Sequence, residues 1–195
     1  MTGAAILAAT AALHAGAGRV ILSLLSGQAS DNMPPDVMQR EFKRLELEKL
    51  HVVCGCGGGT AVQAVLPEVL QRSAKLVLDA DGLNAVAQEP SLQQALRRRG
   101  KEQPTVITPH PLEAARLLGC NTAQVQKDRL KAAQELAERF LCSAVLKGSG
   151  TVIAATGHTP RINITGNGRL AIGGTGDVLA GLVGARMAQG MSALD

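Results

Sequence analysis

The sequence predicts an α/β protein in which a mainly parallel sheet lies between two layers of helices. Short β-rich runs alternate with helical patterns along the chain, which favours parallel strands joined by helices. Glycine-rich or polar segments follow directly after several of these runs, at the position where open α/β sheets bind their ligands. A length of 195 residues, 46% of them hydrophobic, fits one globular domain covering residues 1–195.

The elements of the first half follow from hydrophobic periodicity and turn residues. The pattern predicts a small-residue helix at 4–14, a strand at 20–25, a polar loop at 26–35, a charged amphipathic helix at 36–49 and a strand at 51–54. Thr60 is expected to cap a helix at 61–72, because its hydroxyl can accept a hydrogen bond from a first-turn N–H group. A strand at 76–78 follows.

The second half continues the same alternation. Two short helices come first, and the basic run 97–99 is interpreted as the solvated end of the second, where cations complement the helix dipole. The pattern then predicts a strand at 105–107, a helix at 112–118, a strongly amphipathic helix at 122–141, strands at 144–146 and 151–155, and a last helix at 177–189.

Composition narrows the classes of function. The formal net charge is only +4 and the chain holds two Phe, no Tyr and no Trp, so a nucleic-acid partner is not expected. The apolar stretch 4–13 has no Lys or Arg before it and is cut short by His14, so neither a signal peptide nor a membrane span is predicted. The four cysteines lack zinc-ligand spacing and are interpreted as reduced core residues of a cytoplasmic protein.

The strongest motif is a run of small residues that opens into the last predicted helix. It reads Asn-Ile-Thr-Gly-Asn-Gly at 163–168 and Gly-Gly-Thr-Gly-Asp-Val-Leu at 173–179. Free N–H groups at a helix start bind anions, and glycines let a phosphate approach the backbone. Asp177 stands at the helix mouth, either as a general base for a substrate hydroxyl or as an ordinary first-turn acid. The helix dipole is expected to lower the pKa of Asp177.

Two further glycine-rich turns are candidate phosphate sites. Segment 147–151, Lys-Gly-Ser-Gly-Thr, lies between two β-like runs and fits either a nucleotide-phosphate loop or a plain hairpin turn. Segment 55–60, Gly-Cys-Gly-Gly-Gly-Thr, resembles a dinucleotide fingerprint, with Asp79 near the distance of a ribose-binding acid. A Rossmann NAD(P)-dependent dehydrogenase is therefore an alternative.

Polar residues at two other predicted strand ends complete the candidate site. His110 stands between two prolines that fix its backbone, so its ring is either a ligand contact or a buried structural group. Asp79, Asp81 and Asn84 follow the strand at 76–78 and are either site residues or turn and helix caps.

Taken together and in this order, the motifs resemble the ADP/ATP-dependent NAD(P)H-hydrate dehydratase family, within the ribokinase-like superfold. The matching segments span nearly the whole chain: 3–4 leading to 15–18, 55–59, 78–84, 108–113, 146–151 and 173–179. The resemblance implies a three-layer α/β/α fold. It also implies a repair enzyme, a lyase that dehydrates the (6S) hydrate of NADH or NADPH with ADP or ATP and Mg²⁺. The metal is expected to arrive with the nucleotide and not in a protein cage.

The resemblance also implies residue roles. Asp177 would be the catalytic base and would contact the hydrate together with Ala4, Gly57 and His110. Nucleotide contacts are implied for one loop and one helix start: Lys147, Gly148, Ser149, Gly150, Thr151 and Gly176. Five neighbouring residues are further candidates: Asp79, Asp81, Asn84, Gly174 and Thr175.

The chain departs from the family pattern in places. Leu112 stands where the family usually has Gly after His-Pro, edge elements at both termini are expected to be missing, and no epimerase domain is fused. Apolar surface left exposed by missing elements favours a homo-oligomer. A ribokinase-like kinase of the vitamin-precursor type and an inactive, truncated nucleotide-binding module are also alternatives.

Overall fold

The computed structural model describes residues 2–26 and 33–194, so most of the polar loop predicted at 26–35 lies outside the described residues. The helices are α1 (Thr2–His14), α2 (Val62–Arg72), α3 (Ala80–Gln88), α4 (Pro90–Glu102), α5 (Pro111–Leu118), α6 (Thr122–Lys127), α7 (Arg129–Phe140) and α8 (Thr175–Ala188). The strands are β1 (Val20–Leu22), β2 (Val37–Gln39), β3 (His51–Cys54), β4 (Lys75–Leu78), β5 (Thr105–Ile107), β6 (Ser143–Leu146), β7 (Val152–Ala154) and β8 (Arg161–Ile162).

Six strands form the main sheet, in the order β3-β4-β5-β6-β7-β8. The first four run parallel, whereas β7 pairs antiparallel with β6 and β8 pairs antiparallel with β7. Because helices join the parallel strands, the C-terminal ends of β3–β6 come together at one edge of the sheet. The prediction of a mainly parallel sheet is confirmed.

Alternate residues of the parallel strands enter separate hydrophobic clusters on the two faces of the sheet. Leu76 and Leu78 of β4 and Ile107 of β5 pack with residues of α2–α7. Val77 and Val106, which point to the other face, pack with small and apolar residues of α1 and α8. Helices therefore cover both faces, as the three-layer prediction requires. None of the described helices has the length and hydropathy needed to span a bilayer.

β1 and β2 form a second, two-stranded parallel sheet that stands apart from the main sheet. It is held by α1, because Ala9 of α1, Leu22 of β1 and Val37 of β2 share a small buried cluster. A cavity of about 560 Å³ is lined by β1 on one side and β3 on the other, with α1 and α2 above and below the strands. The layer of strands is thus interrupted between β1 and β3.

The prediction of a charged helix at 36–49 is wrong. Residues Val37–Gln39 form β2, and two short 3-10 turns fill much of the rest of the segment. Val37 is buried beside α1 and β1, whereas Leu47 is buried in the core of the main sheet. Because these two anchors belong to different clusters, tertiary packing selects an extended path over the helical spacing of the charges.

Two helix predictions and two strand predictions need smaller corrections. The helix predicted at 122–141 is broken at Asp128, which caps α7 by accepting a hydrogen bond from the N–H of Lys131. Thr60 lies within a 3-10 turn, and α2 begins after it without a side-chain cap. The strand predicted at 20–25 ends at Leu22, and β8 was not predicted.

The basic run 97–99 is only partly solvated. Its first two members are exposed, but Arg99 is buried, and its guanidinium donates hydrogen bonds to the carbonyl groups of Leu70 and Ser73. Burial lowers the pKa of Arg99 to about 10. Arg99 therefore ties α4 to the C-terminal end of α2, which corrects its interpretation as a solvated helix end.

We expect Gly181→Ala to destabilise the fold, because a methyl group there would lie 2.1 Å from the carbonyl oxygen of Ala8. The two helix backbones must separate to make room, at a cost of about 1–3 kcal/mol. Urea unfolding followed by circular dichroism measures the loss. Gly3→Ala in α1 is the matched control, since its methyl meets nothing within 4 Å and the helix propensity improves. Equal stability of the two variants would contradict a tight contact between α1 and α8.

Candidate active site

Four chain segments meet at the C-terminal edge of the parallel strands. They are the loop after β3, the residue that follows β4, the residue that follows β6 and the first turn of α8. From these segments come Cys56, Asp79, Lys147 and Asp177. The parallel topology thus gathers residues that lie far apart in the sequence.

A buried ion pair stands at the centre of this edge. Lys147 Nζ lies 2.6 Å from Asp79 Oδ1 and 3.9 Å from Glu113 Oε2. The Asp79 side chain is 2% exposed and the Lys147 side chain 18%, so water screens the pair poorly on its carboxylate side. A short, charge-assisted hydrogen bond in such surroundings is strong, and it gives the ammonium a defined position.

Asp177 lies in the first turn of α8, beside this pair. The ligand atoms of Cys56, Asp79 and Asp177 all lie within 4.8 Å of one another. Burial raises the pKa of Asp177, and the Asp79 and Asp81 carboxylates add to the rise, while the Cys56 thiol and Lys147 oppose it. The expected lowering of this pKa by the helix dipole is therefore wrong, because desolvation and two like charges prevail. Asp177 is a stronger base than an ordinary exposed aspartate.

The group of Cys56, Asp79 and Asp177 does not fit a protein-held Mg²⁺. Magnesium takes oxygen ligands in an octahedral arrangement, whereas burial raises the pKa of the Cys56 thiol and keeps it protonated. Asp79 already neutralises Lys147.

The start of α8 opens toward Lys147. Gly174 has a φ of 88°, a left-handed conformation that turns the chain into the helix, and the Thr175 hydroxyl hydrogen-bonds carbonyl groups of the preceding loop. A Cβ on Gly176 would lie 3.3 Å from Lys147 Nζ. First-turn N–H groups have no partners within the helix, so the positive helix end and the ammonium face the same small volume.

The segment 147–151 is a hairpin turn between the antiparallel strands β6 and β7. Arg129, the first residue of α7, holds this turn, because its Nη2 donates to the carbonyl groups of Leu146, Lys147 and Gly150. The plain-hairpin interpretation therefore describes the backbone correctly. The same turn nevertheless delivers Lys147 to the site.

His110 is the N-terminal cap of α5. Its Nδ1 accepts hydrogen bonds from the N–H groups of Leu112 and Glu113, and the Glu113 carboxylate accepts one from the His110 N–H. Its Nε2 lies 3.3 Å from Glu113 Oε1, and the side chain is 46% exposed. The structural interpretation of this histidine is therefore right about its hydrogen bonds but wrong about its burial, because solvent reaches the ring.

Two of the predicted polar residues tie local segments together. Asp81 Oδ2 accepts a hydrogen bond from the Gly59 N–H at 2.7 Å and so fixes the glycine loop after β3. Asn84 Oδ1 accepts one from Arg116 Nη1 at 2.6 Å and joins α3 to α5. Both contacts join segments that lie apart in the sequence, so neither is the local turn or helix cap that was the alternative to a direct site role.

The other predicted residues belong to the segments around this edge. Ala4 is buried in the cluster between α1, α8 and the sheet, and Gly57 lies in the loop after β3 with a φ of 67°. In the hairpin, Gly148 and Ser149 are exposed, and the Thr151 hydroxyl donates to the Gly148 carbonyl.

No contact with the base or the lysine of the site was predicted from the sequence for Cys56, Glu113 or Arg129. A cation in the first turn of a helix interacts unfavourably with the helix dipole. The position of Arg129 at the start of α7 could therefore have indicated that its guanidinium has a specific partner. Glu113 stands three residues after His110, the spacing of a capping box. Cys56 carried no comparable signal, because its contact with Asp177 exists only in the folded chain.

Comparisons with known proteins agree with this arrangement. The family described as NAD(P)H-hydrate dehydratase matches residues 1–195. An ADP-dependent (S)-NAD(P)H-hydrate dehydratase from Neisseria meningitidis serogroup B is 37% identical over 204 residues, covering 98% of this chain and 67% of that protein. A bifunctional NAD(P)H-hydrate repair enzyme from Escherichia coli K12 is 39% identical over 202 residues, covering 99% of this chain and 38% of that protein. The chain thus spans between about two fifths and two thirds of the length of these relatives.

Solved structures share the fold. A ribokinase-like superfamily protein from Enterococcus faecalis V583 matches with a TM-score of 0.76 at 27% identity, covering 96% of this chain and 67% of that chain. An ADP/ATP-dependent NAD(P)H-hydrate dehydratase from Bacillus subtilis, co-crystallised with ATP/Mg²⁺, matches with a TM-score of 0.73 at 27% identity, covering 96% and 68%. The ribokinase-like fold is confirmed, and the chain belongs to the NAD(P)H-hydrate dehydratase family.

Proposed function

We propose that this chain is a lyase that dehydrates the (6S) hydrate of NADH or NADPH, in a reaction coupled to ADP or ATP with Mg²⁺. The observation that carries the proposal is the meeting of Lys147, Gly176 and Asp177. A cation, an anion-binding helix start and a base of raised pKa share one small volume. The family match and the ATP/Mg²⁺ of the Bacillus subtilis structure support the proposal.

In the proposed reaction, phosphorylation turns the hydroxyl group of the hydrate into a leaving group. Asp177 takes the hydroxyl proton while the hydroxyl oxygen attacks the terminal phosphoryl group of the nucleotide. Departure of the phosphate, with loss of a proton from the ring to solvent, then restores the double bond of the cofactor. The buried position of Asp177 suits this role, because desolvation makes its carboxylate more basic.

We place the nucleotide across the hairpin and the start of α8. Lys147 supplies the ammonium, Gly176 lets a phosphate approach the helix backbone, and the residues that complete the loop are Gly148, Ser149, Gly150 and Thr151. Mg²⁺ carried by the nucleotide supplies further neutralisation of the phosphate charge when bound.

The hydrate is proposed to contact Ala4, Gly57 and His110 as well as Asp177. Ala4 and Cys56 share one buried cluster, and the Cys56 thiol hydrogen-bonds Asp177, so α1 and the loop after β3 both adjoin the base. The remaining candidates are proposed to hold the surrounding segments in place without touching the hydrate: Asp79, Asp81, Asn84, Gly174 and Thr175.

The alternatives have less support. A kinase of the vitamin-precursor type would use the same helix start but would release a phosphorylated product. A Rossmann dehydrogenase would need Asp79 for a ribose, whereas the Asp79 carboxylate is paired with Lys147.

We also propose that the protein is a cytoplasmic homo-oligomer and that residues 1–195 form one domain. The four cysteines are free thiols, as in a reducing compartment. Large apolar side chains between β8 and α8 are exposed, among them Ile164 at 92% and Ile172 at 72%, and they offer a surface for a subunit contact.

The activity is tested by adding (6S)-hydrated NADH, ADP or ATP, and Mg²⁺ to this chain. We expect the near-ultraviolet absorbance of the reduced nicotinamide to recover only when nucleotide and metal are both present. A phosphorylated product that accumulates without recovery of the absorbance would favour the kinase. Equal recovery without any nucleotide would contradict the coupling.

Asp177→Asn should bind ADP or ATP and lose roughly 10²–10⁴-fold in turnover, because it removes a general base and little else. Asparagine keeps the size of the side chain and the ability to stabilise a helix start. Calorimetry measures nucleotide binding, and the absorbance assay measures turnover. If the variant unfolds while its folded fraction keeps the full rate, Asp177 is a structural residue and the catalytic assignment fails.

His110→Asn separates a substrate contact from the capping role, because asparagine caps helices well but carries no imidazole. We expect the KM for the hydrate to rise while the KM for the nucleotide and the melting temperature stay near the wild-type values. His110→Ala should in addition lose about 0.5–2 kcal/mol of stability with the cap. An unchanged hydrate KM in the asparagine variant would leave His110 with the capping role alone.

A further inference from the structure

Asp79 is a buried carboxylate that takes no part in the proposed chemistry, yet it makes the closest contact of Lys147 in the site. We propose that Asp79 is a positioning residue that holds the Lys147 ammonium at the mouth of α8 until a nucleotide phosphate competes for it. The proposal rests on the proposed function, because it takes the nucleotide as the competing anion.

The backbone around Asp79 is fixed. The Asp79 N–H donates to the Cys54 carbonyl, and Ala80 has a φ of 47°, in the left-handed region that an alanine rarely adopts. The loop after β3 packs against the Asp79 backbone, since a Cβ on Gly55 would lie 1.9 Å from the Asp79 carbonyl oxygen. Asp79 is the N-cap residue of α3, but its side chain accepts no capping hydrogen bond. Its carboxylate serves Lys147 instead.

From this position the ammonium can meet an anion at α8 with little movement. Lys147 Nζ lies 3.3 Å, and Asp79 Oδ2 3.7 Å, from the place of a Cβ on Gly176. A phosphate that accepts hydrogen bonds from the first turn of α8 would therefore lie beside both groups. The Asp79 carboxylate then has two opposing effects on nucleotide binding. It favours binding by holding the Lys147 ammonium near the phosphate site, and it opposes binding by competing with the phosphate for that ammonium.

Sharing Lys147 with a phosphate also changes the surroundings of Asp177. Asp79 raises the pKa of Asp177 and Lys147 lowers it. The charge of Asp79 therefore makes Asp177 a stronger base, and the charge of Lys147 makes it a weaker one. The groups that face Asp177 are Cys56 after β3, Asp79 after β4, Asp81 in α3 and Lys147 after β6, and α1 carries a titratable side chain only at its far end, His14.

Asp79→Asn tests the proposal, because it keeps the shape of the side chain and an oxygen acceptor while removing the charge. The dissociation constant of ADP with Mg²⁺, measured by calorimetry, should fall by at least about fivefold, because one unit charge at about 4 Å has that effect in water and the buried Asp79 carboxylate is screened less. In the absorbance assay, kcat and the nucleotide KM should both fall. The acid limb of the pH profile should move to lower pH, because Asp177 loses a neighbouring carboxylate.

A mutant cycle with Lys147→Met shows whether Asp79 acts through Lys147. In the Lys147→Met background, Asp79→Asn should tighten ADP binding less than it does in the wild type, since only direct repulsion of the phosphate is relieved and no ammonium is released. If Asp79→Asn tightens ADP binding equally with and without Lys147, the carboxylate acts only by repelling the phosphate directly, and the proposal is overturned. Weaker ADP binding by Asp79→Asn alone would also overturn it. If Lys147→Met does not fold, Lys147→Gln takes its place in the cycle, and equal tightening in that background overturns the proposal.

Glu135→Gln in α7 is the matched control, because it also removes the carboxylate of a lysine ion pair, here with the exposed Lys131, and has no role in the site. Its ADP dissociation constant should stay close to the wild-type value. A wild-type chain that binds neither ADP nor ATP would overturn the proposed function and this inference together. A wild type that binds nucleotide beside an Asp79→Asn variant of unchanged affinity would overturn this inference alone.

Discussion

The close contact of α8 with α1 and with the sheet decides where the site can form. Gly181 lets α8 approach the backbone of Ala8, and Gly184 lets it approach Val53 of β3, where a Cβ would lie 2.4 Å from the valine Cγ2. Held between a helix and a strand, α8 has its first turn fixed at the strand ends. Because Asp177 lies about one turn before Gly181, packing of small residues in the core sets the position of a charged group in the site.

Within the site, burial and charge work against each other. The carboxylates of Asp79, Glu113 and Asp177 gather around the single ammonium of Lys147. Burial raises the pKa of both Glu113 and Asp177, and the negative charge of Asp79 adds to the rise in each case. Groups with shifted pKa values cluster at sites of proton transfer. Their burial destabilises the folded state, and packing elsewhere in the fold compensates for this loss.

Much of the fold and part of the site could be predicted from the sequence. The strand β5 was predicted residue for residue, because a short apolar run bounded by polar residues is a local signal. The glycine turns after strand ends likewise pointed to Lys147, Gly176 and Asp177. The failures depend on tertiary contacts. Segment 36–49 has helical charge spacing but is anchored in two clusters, and the pKa of Asp177 depends on Asp79, a residue of another strand end.

A cavity separates the two-stranded sheet of β1 and β2 from the main sheet, so the two sheets need not unfold together. Among the described residues, β1 and β2 pair only with each other, so the ladder of the main sheet does not reinforce theirs. We therefore expect this small unit to open at a lower free energy than that of global unfolding and its amide hydrogens to exchange through local opening. The helix that holds the unit, α1, also carries Ala4. We therefore expect local opening of β1 and β2 to act first on α1, the helix that carries Ala4, a residue proposed to contact the hydrate.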